Sequence, residues 1–145
     1  MSATADHAEE RTNPAAKLGF EPGQVVQEIG YDDDVELELR EAIETVTGQE
    51  LADEDYEDVA DVVLLWFRDE DGDLTDALVD AIGLVDDGGT VWLMTPKTGR
   101  DGYVEPSDIN EAAQTAGLSQ TKSINAGKDW TGSRLVTPKA AKSKR

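Results

Sequence analysis

The chain contains no cysteine, and this absence removes several kinds of chemistry at once. Disulfide bonds, thiolate nucleophiles and zinc–sulfur centres all require that residue. The single histidine, His7, stands in a polar segment at the start of the chain, so no ordered histidine is expected to activate a serine or threonine. We therefore name no catalytic residue and predict no resident cofactor.

Long apolar runs are also missing. No segment approaches the roughly 20 apolar residues that a membrane helix needs. Residues 1–16 are polar and lack the apolar core of a signal peptide, so the expected location is cytoplasmic. We expect one domain over residues 17–137, between a disordered head (residues 1–16) and a basic disordered tail (residues 138–145).

Positive charge is scarce in the middle of the chain. Residues 21–95 hold 24 acidic residues and two basic ones, Arg40 and Arg68, which is a charge of −22. Residues 1–20 carry −1 and residues 96–145 carry +4, which completes the net charge of −19. A field of this sign repels nucleic acids and anionic membranes, so neither is predicted as a partner. The acidic surface either keeps the protein soluble or binds a protein partner with a basic surface.

Residues 61–97 are the most informative stretch. An apolar run at residues 62–67 precedes a segment whose apolar positions (Leu74, Ala77, Leu78, Ala81, Ile82 and Val85) lie on one helical face. The turn Asp86-Asp87-Gly88-Gly89 leads into a second apolar run at residues 91–94. Apolar runs without alternation indicate strands that are covered on both faces, as in a parallel sheet. The segment is typical of one βαβ unit.

The flanking segments extend this unit. A first strand is predicted at residues 23–30, then a helix that ends near Gly48, then an acidic segment at residues 50–58 that resembles a rudimentary edge strand. Ser107 is predicted to cap a third helix, and strands at residues 118–124 and 133–137 close the chain as a hairpin. The predicted class is α/β, a three-layer Rossmann-like fold with a mainly parallel sheet and an antiparallel closing hairpin.

Two acidic clusters were weighed as metal sites. Asp69, Asp71 and Asp73 match the start of a calcium loop, but the later positions of that loop hold the wrong residues. An acidic helix start, favoured by the helix dipole, explains the same residues better. The turn at residues 32–34 is likewise interpreted as a solvated helix start, and no metal is predicted.

In open α/β sheets, ligands bind at the carboxyl ends of the strands. The residues that follow those ends include the cations Arg68 and Lys97 and the acidic turn. Trp130 lies in a polar connection between the last two strands, where it either contacts a partner or folds back onto the sheet. The predicted partner-binding residues are Arg68, Lys97, Trp130, Asp32, Asp33 and Asp34.

The order of elements resembles a shortened class I S-adenosylmethionine-dependent methyltransferase fold, over roughly residues 18–137. The resemblance rests on residues 25–30, 62–67, 86–94 and 118–137, and it implies that Glu28, Gly30 and Asp69 would bind the cofactor, if any residues do. In this chain Tyr31, Asp32, Asp33 and Asp34 replace the further glycines of the cofactor signature. We therefore predict that the cofactor does not bind.

The whole chain also resembles an actinobacterial family, domain of unknown function 3052. The matching segments are KLGFEPGQVVQEIG, VVLLWFRDEDGDLTDALVDA and GLSQTKSINAGKDWTGSRLV. The resemblance therefore implies a family to which no reaction is assigned, and it does not imply a function. The predicted function is a non-catalytic Rossmann-like interaction or regulatory protein. The alternative is a divergent methyltransferase or another small-molecule enzyme.

Overall fold

A computed structural model describes residues 18–137, except for the side chains of residues 86–88. The predictions for the head and tail therefore lie outside the described residues. The elements, in chain order, are β1 (Val26–Ile29), α1 (Leu37–Thr47), β2 (Ala60–Trp66), a 3-10 turn (Asp69–Asp71), α2 (Leu74–Ile82), β3 (Val85–Pro96), α3 (Pro106–Ala116), β4 (Ser119–Asn125) and β5 (Trp130–Val136).

The five strands form one sheet in the order β1-β2-β3-β5-β4. β1, β2 and β3 pair in parallel, with Val26 beside Val62 and Val63 beside Val91. β5 pairs antiparallel with both β3 and β4. The sheet is thus mixed, with two parallel and two antiparallel pairings, so the prediction of a mainly parallel sheet is supported only in part. The α/β class and the hairpin are confirmed.

Apolar side chains cover both faces of the sheet, which explains the unbroken apolar runs of β2 and β3. One cluster packs α1 on the sheet, and its members include Phe20, Leu39, Ile43, Leu64, Trp66, Trp92 and Trp130. The other packs α2 and α3 on the opposite face, and its members include Val63, Leu65, Leu78, Leu93, Ile109 and Leu135. The arrangement has three layers.

Helix ends follow local sequence rules. α1 ends at Gly48, whose φ of 78° is a left-handed conformation that favours glycine. Asp73 caps α2 by accepting the backbone N–H of Asp76 at 3.1 Å. At α3 the cap position is Glu105 and Pro106 opens the first turn, so the predicted cap at Ser107 is wrong by two residues.

Three details refine the predicted strands. The rudimentary edge strand exists as a single parallel bridge between Gln27 and Ala52, beside β1. The predicted turn at residues 86–89 is an irregularity within β3, since Ala60 pairs with Val85 but Val62 pairs with Thr90. β5 begins at Trp130, three residues before the predicted start. Among the described residues, no helix is long and apolar enough to cross a membrane.

Candidate functional site

The carboxyl ends of β1, β2 and β3 lie at one edge of the sheet, here called the carboxyl edge. The chain leaves β1 toward the bridge at Ala52 on one side and returns to β2 on the other side. The connections therefore diverge between β1 and β2, and this switch point is where ligands of doubly wound folds bind. The candidate site is built from the loops at residues 30–36, 67–73 and 97–105.

Arg68 lies at the switch point. It lies two residues after the end of β2 and is only 7% exposed. Its Nη1 donates to the carbonyl oxygen of Gly30 at 2.8 Å and to that of Trp66 at 3.2 Å. These carbonyls belong to the chain at the ends of β1 and β2, so one guanidinium joins the two strand ends.

The same guanidinium forms a two-pronged ion pair with Asp34 in the β1–α1 loop. Nε donates to Oδ2 at 3.1 Å and Nη2 donates to Oδ1. A second carboxylate, that of Asp71, lies 3.4 Å from Nη1 and also accepts the backbone N–H of Arg68 at 2.9 Å. The paired geometry is one that arginine can form and lysine cannot.

These contacts shift the pKa values of both partners. The hydrogen bond from Arg68 is the main reason that the pKa of Asp34 lies below its usual value. Burial alone would lower the pKa of Arg68, but the hydrogen bond and charge of Asp34, together with Asp71, raise it above its usual value. Both groups are therefore charged at neutral pH.

Gly30 is enclosed by neighbouring groups. Its N–H donates to Glu54 Oε2 at 2.9 Å, while its carbonyl accepts from Arg68, so both backbone polar groups are used inside the protein. Its φ is +86°, and a β-carbon at this position would overlap the carbonyl oxygen of Trp66. Glycine is therefore required here by the close approach of β2. In this chain the backbone of Gly30 lies close to the end of β2 and accepts a hydrogen bond from Arg68.

Glu28, on β1, is buried and holds a second ion pair. Arg40 of α1 donates to its two oxygens at 2.6 Å and 2.8 Å, and Trp66 Nε1 donates at 2.8 Å. The hydrogen bonds that Arg40 donates to Glu28 are the main reason that the pKa of Arg40 is raised. The guanidinium of Arg40 also lies 4.6 Å from the ring centre of Tyr31. Glu28 thus ties α1 to the sheet.

Trp130 is a core residue. It is 2% exposed, its ring packs edge-on against Trp66 at 4.9 Å, and its Nε1 donates to the backbone carbonyl of Asp34 at 2.9 Å. The guanidinium of Arg68 lies 5.2 Å from its ring centre. Trp130 thus folds back onto the sheet, one of the two alternatives given for it, and internal contacts occupy the side chains of both Trp130 and Arg68. The role of these two residues in partner binding stays a prediction.

The other predicted contact residues lie nearer the surface. Asp32 and Asp33 are exposed, and Asp34 keeps half of its side chain exposed beside Arg68. Lys97 is half-buried, and its backbone N–H donates to the carbonyl of Asp129 at 2.9 Å. Their role in partner binding stays a prediction.

A mixed-charge crevice of about 520 Å³ opens at this edge. An ion pair between Arg100 and Asp129, at 3.1 Å, stands in its wall with both side chains partly exposed. The remaining lining residues are Asp33, Asp34, Val35, Pro96, Asp101 and Trp130. Solvent-exposed carboxylates outnumber cations here, so the crevice favours a positively charged group.

Of the three conditional cofactor residues, Glu28 and Gly30 lie together at the end of β1, whereas Asp69 lies in the 3-10 turn after β2. Asp73, the last acid of the calcium-like pattern, caps α2, in accord with the helix-start interpretation. In the part of the chain that the structure describes, no cluster of three or more histidine or acidic side chains is arranged to hold a metal ion.

Sequence reasoning missed two functional contacts, those of Arg40 and Glu54. The signal for Arg40 was present, since it is one of only two cations in residues 21–95 and both are found in partly buried ion pairs. Glu54 gave no such signal, because it is one acid among many in the segment at residues 50–58.

Comparison with known proteins places the chain in a family. The family model described as "Protein of unknown function (DUF3052)" matches residues 15–139, and the chain belongs to that family. Over 141 residues it is 53% identical to an uncharacterized protein of Mycobacterium tuberculosis, a match that covers 97% of this chain and 87% of the relative. A Mycobacterium bovis protein matches with the same values. The predicted family resemblance is confirmed.

Solved structures share the fold at low sequence identity. The pyocyanin biosynthetic protein PhzM superposes with a TM-score of 0.62 at 12% identity, covering 94% of this chain and 55% of PhzM. The O-methyltransferase NcsB1 gives 0.62 at 14% identity, covering 94% and 56%. Magnesium protoporphyrin IX methyltransferase from Synechocystis gives 0.53 at 12%, covering 92% and 82%. The chain thus has a methyltransferase-like fold and spans about half the length of the first two proteins.

Proposed function

We propose that the protein is a non-catalytic interaction or regulatory protein on a Rossmann-like scaffold, expected in the cytoplasm, whose acidic carboxyl edge binds a protein with a basic surface. The observation that supports it most strongly is the position of Arg68. Its guanidinium bridges the carbonyls at the ends of β1 and β2, at the switch point where ligands of such folds bind.

The loop after β1 offers little to a cofactor. A nucleotide-like ligand approaches such a loop through free backbone groups that glycines leave accessible. Both polar backbone groups of Gly30 are already bonded, to Glu54 and to Arg68. The next three positions hold Tyr31, Asp32 and Asp33, and all three side chains are exposed. The carboxylates of the two aspartates repel a ligand carboxylate or phosphate.

The charge of the carboxyl edge supports a basic partner. Exposed carboxylates follow β1 at residues 32–34, the edge bridge at residues 53–55 and β2 at residues 69–71. Two of the nearby cations, Arg40 and Arg68, are held in internal ion pairs. Such an edge accelerates encounter with a positively charged surface, and the attraction weakens as salt is added.

A second candidate function, a divergent S-adenosylmethionine-dependent methyltransferase, is favoured by one observation. A pocket of about 440 Å³ lies beside β1, on the side of the edge bridge, and it is lined by Glu28, Tyr31, Arg40, Asp53, Glu54 and Asp55. Arg68 does not line this pocket, so its side chain leaves the pocket open to a ligand.

Calorimetry with S-adenosylmethionine separates the two candidates. We expect no binding heat at physiological cofactor concentration, with the same result for S-adenosylhomocysteine. Micromolar binding of either compound would overturn the non-catalytic proposal and support the methyltransferase. A ligand that binds only the native state must also raise the melting temperature, which gives a second measurement of the same binding.

Affinity capture with matched charge reversals tests the partner. The variant Asp32→Lys/Asp33→Lys reverses two exposed acids of the carboxyl edge. The control Glu50→Lys/Asp80→Lys reverses two exposed acids near the opposite edge, so the net charge changes equally. We expect a basic protein that the wild type and the control retain and the first variant loses. Equal retention by both variants would contradict the assigned surface.

A further inference from the structure

An apolar groove of about 400 Å³ lies beside the carboxyl-edge crevice, between α1 and the β4–β5 connection, and none of the residues that line it lines the crevice. Its buried floor contains Leu18, Leu39 and Ala126, and Ile124 lies half-buried in its wall. Its volume suits one or two side chains of a partner. Three other pockets among the described residues each have at least four charged side chains in their lining, whereas this groove has two, Glu36 and Glu38.

The charges around the groove are unequal on its two sides. Glu36 and Glu38, from the start of α1, form one wall. The carboxylate of Glu36 packs across Gly127, in the space that a β-carbon would otherwise take, and so lies beside the groove. On the other side, Lys122 precedes Ile124 by two residues on β4. The α1 side is therefore the acidic side.

We propose that this groove is a docking site for a protein segment that inserts an aliphatic or aromatic side chain and places a neighbouring lysine or arginine against Glu36 and Glu38. The apolar floor selects the inserted side chain, since burial of apolar surface supplies most of the affinity of such contacts. The acidic wall selects the flanking cation and orients the segment toward α1. The groove adjoins the carboxyl edge through Glu36 but is lined by other side chains than the crevice, so it can bind such a segment whether or not the crevice binds a partner.

Strand addition to β4 is not part of this proposal. β4 lies at the margin of the sheet, but a register shift between Gln120 and Lys122 distorts it. Bulges and lysine on an edge strand are features that oppose pairing with another chain. Side-chain insertion into the groove is therefore the expected mode of binding.

The test uses two peptide probes and the full-length chain labelled with ¹⁵N. Acetyl-Lys-Leu-Lys-Leu-Lys-amide has the predicted chemistry, and acetyl-Lys-Ala-Lys-Ala-Lys-amide has the same charge without large apolar groups. The leucine peptide should bind at least about tenfold more tightly, because each buried methylene contributes to the free energy of binding. Its amide shift changes should centre on Leu39 and residues 124–127. Equal binding of both peptides, or shifts centred elsewhere, would overturn the proposal.

Variants then separate the two parts of the site. Ile124→Ala should weaken the leucine peptide severalfold, and Val79→Ala, at an exposed position on α2, should not. The side chain of Glu38 is exposed, so the substitution Glu38→Gln should leave the core intact. This variant therefore tests the acidic wall even if Ile124→Ala unfolds the protein. It should lower the affinity more at low salt than at high salt, whereas Asp80→Asn on α2 should not.

The same protein and peptides also test two other occupants of the groove, a second copy of this chain and residues 1–17. If a second copy fills the groove, sedimentation will show a dimer that Ile124→Asp dissociates. If residues 1–17 fill it, their removal will strengthen binding of the leucine peptide. Either result would overturn the assignment to a separate partner, whereas a monomer whose affinity is unchanged by the removal supports it.

Discussion

The substitution Arg68→Ala tests whether the guanidinium holds the strand ends together. The change removes the donor shared by the carbonyls of Gly30 and Trp66, the two-pronged partner of Asp34, and the cation beside Trp130. Because Arg68 is almost fully buried, water reaches the vacated groups poorly. The substitution should destabilise the native state without changing the fold.

The magnitude follows from these contacts. Leaving two carbonyls without a full set of partners costs about 2–4 kcal/mol, since a buried unsatisfied group costs about 1–3 kcal/mol and Gly30 is partly accessible to water. The ion pair adds only about 0–1 kcal/mol, because half of the Asp34 side chain is exposed. Loss of the cation–π contact adds about 0.5–1 kcal/mol. Together the loss is about 2.5–6 kcal/mol, or roughly 10–25 °C in melting temperature.

Urea unfolding at pH 7, followed by circular dichroism, measures this loss. Arg100→Ala is the matched control, because it removes an arginine of the same edge whose ion pair with Asp129 is partly exposed. The control should lose less than about 1 kcal/mol. Arg68→Lys should fall between the two, because an ammonium cannot form the paired geometry. If Arg68→Ala loses no more than the control, the bridging role assigned to this guanidinium is refuted.

Three further predictions concern the same edge. Arg68 lowers the pKa of Asp34, so the native carboxylate contributes stability that is present above its unfolded pKa of about 3.9 and is lost as the pH falls through the lower native value. The stability difference between wild type and Asp34→Asn should therefore shrink between pH 7 and pH 3 in urea titrations, and a constant difference would contradict the linkage. Gly30→Ala should cost about 2–4 kcal/mol in thermal unfolding from backbone strain and overlap. Gly48→Ala, with a similar φ and open space, should cost about 1 kcal/mol, and equal losses would show that the close approach is unimportant. Trp130→Ala should cost about 3–5 kcal/mol and Trp130→Phe less, as judged by denaturant midpoints, and a nearly neutral Trp130→Ala would return this residue to the list of surface contacts.

The layered α/β fold could be predicted from the sequence because its signals are local. The apolar runs at residues 62–67 and 91–94 indicated covered strands. The first run forms most of β2 and extends one residue past its end, and the second lies within β3. The apolar spacing around Leu39 and Leu78 indicated one-sided helices, and Gly48 and Asp73 mark helix ends in the structure. Each of these features depends on neighbours within a few residues, which a sequence displays directly.

The closing hairpin shows where local reasoning reaches its limit. Its two strands were predicted as a pair, but the sequence did not say how much of the sheet they would make antiparallel. That depends on β5 pairing with β3 along its whole length, from Thr90 beside Val136 to Pro96 beside Trp130. This pairing also extends β5 back to Trp130 and buries that side chain.

The sequence by itself determined the family, the order of helices and strands, the acidic charge and the acidic run that follows Gly30. Only the tertiary structure decided what the two isolated cations and the loop tryptophan do. Trp130 meets Asp34 across 96 residues of chain, and Arg68 meets it across 34. Contacts at such separations depend on how the elements pack, so a charge or an aromatic ring that looks like a surface contact in the sequence can be an internal support in the fold.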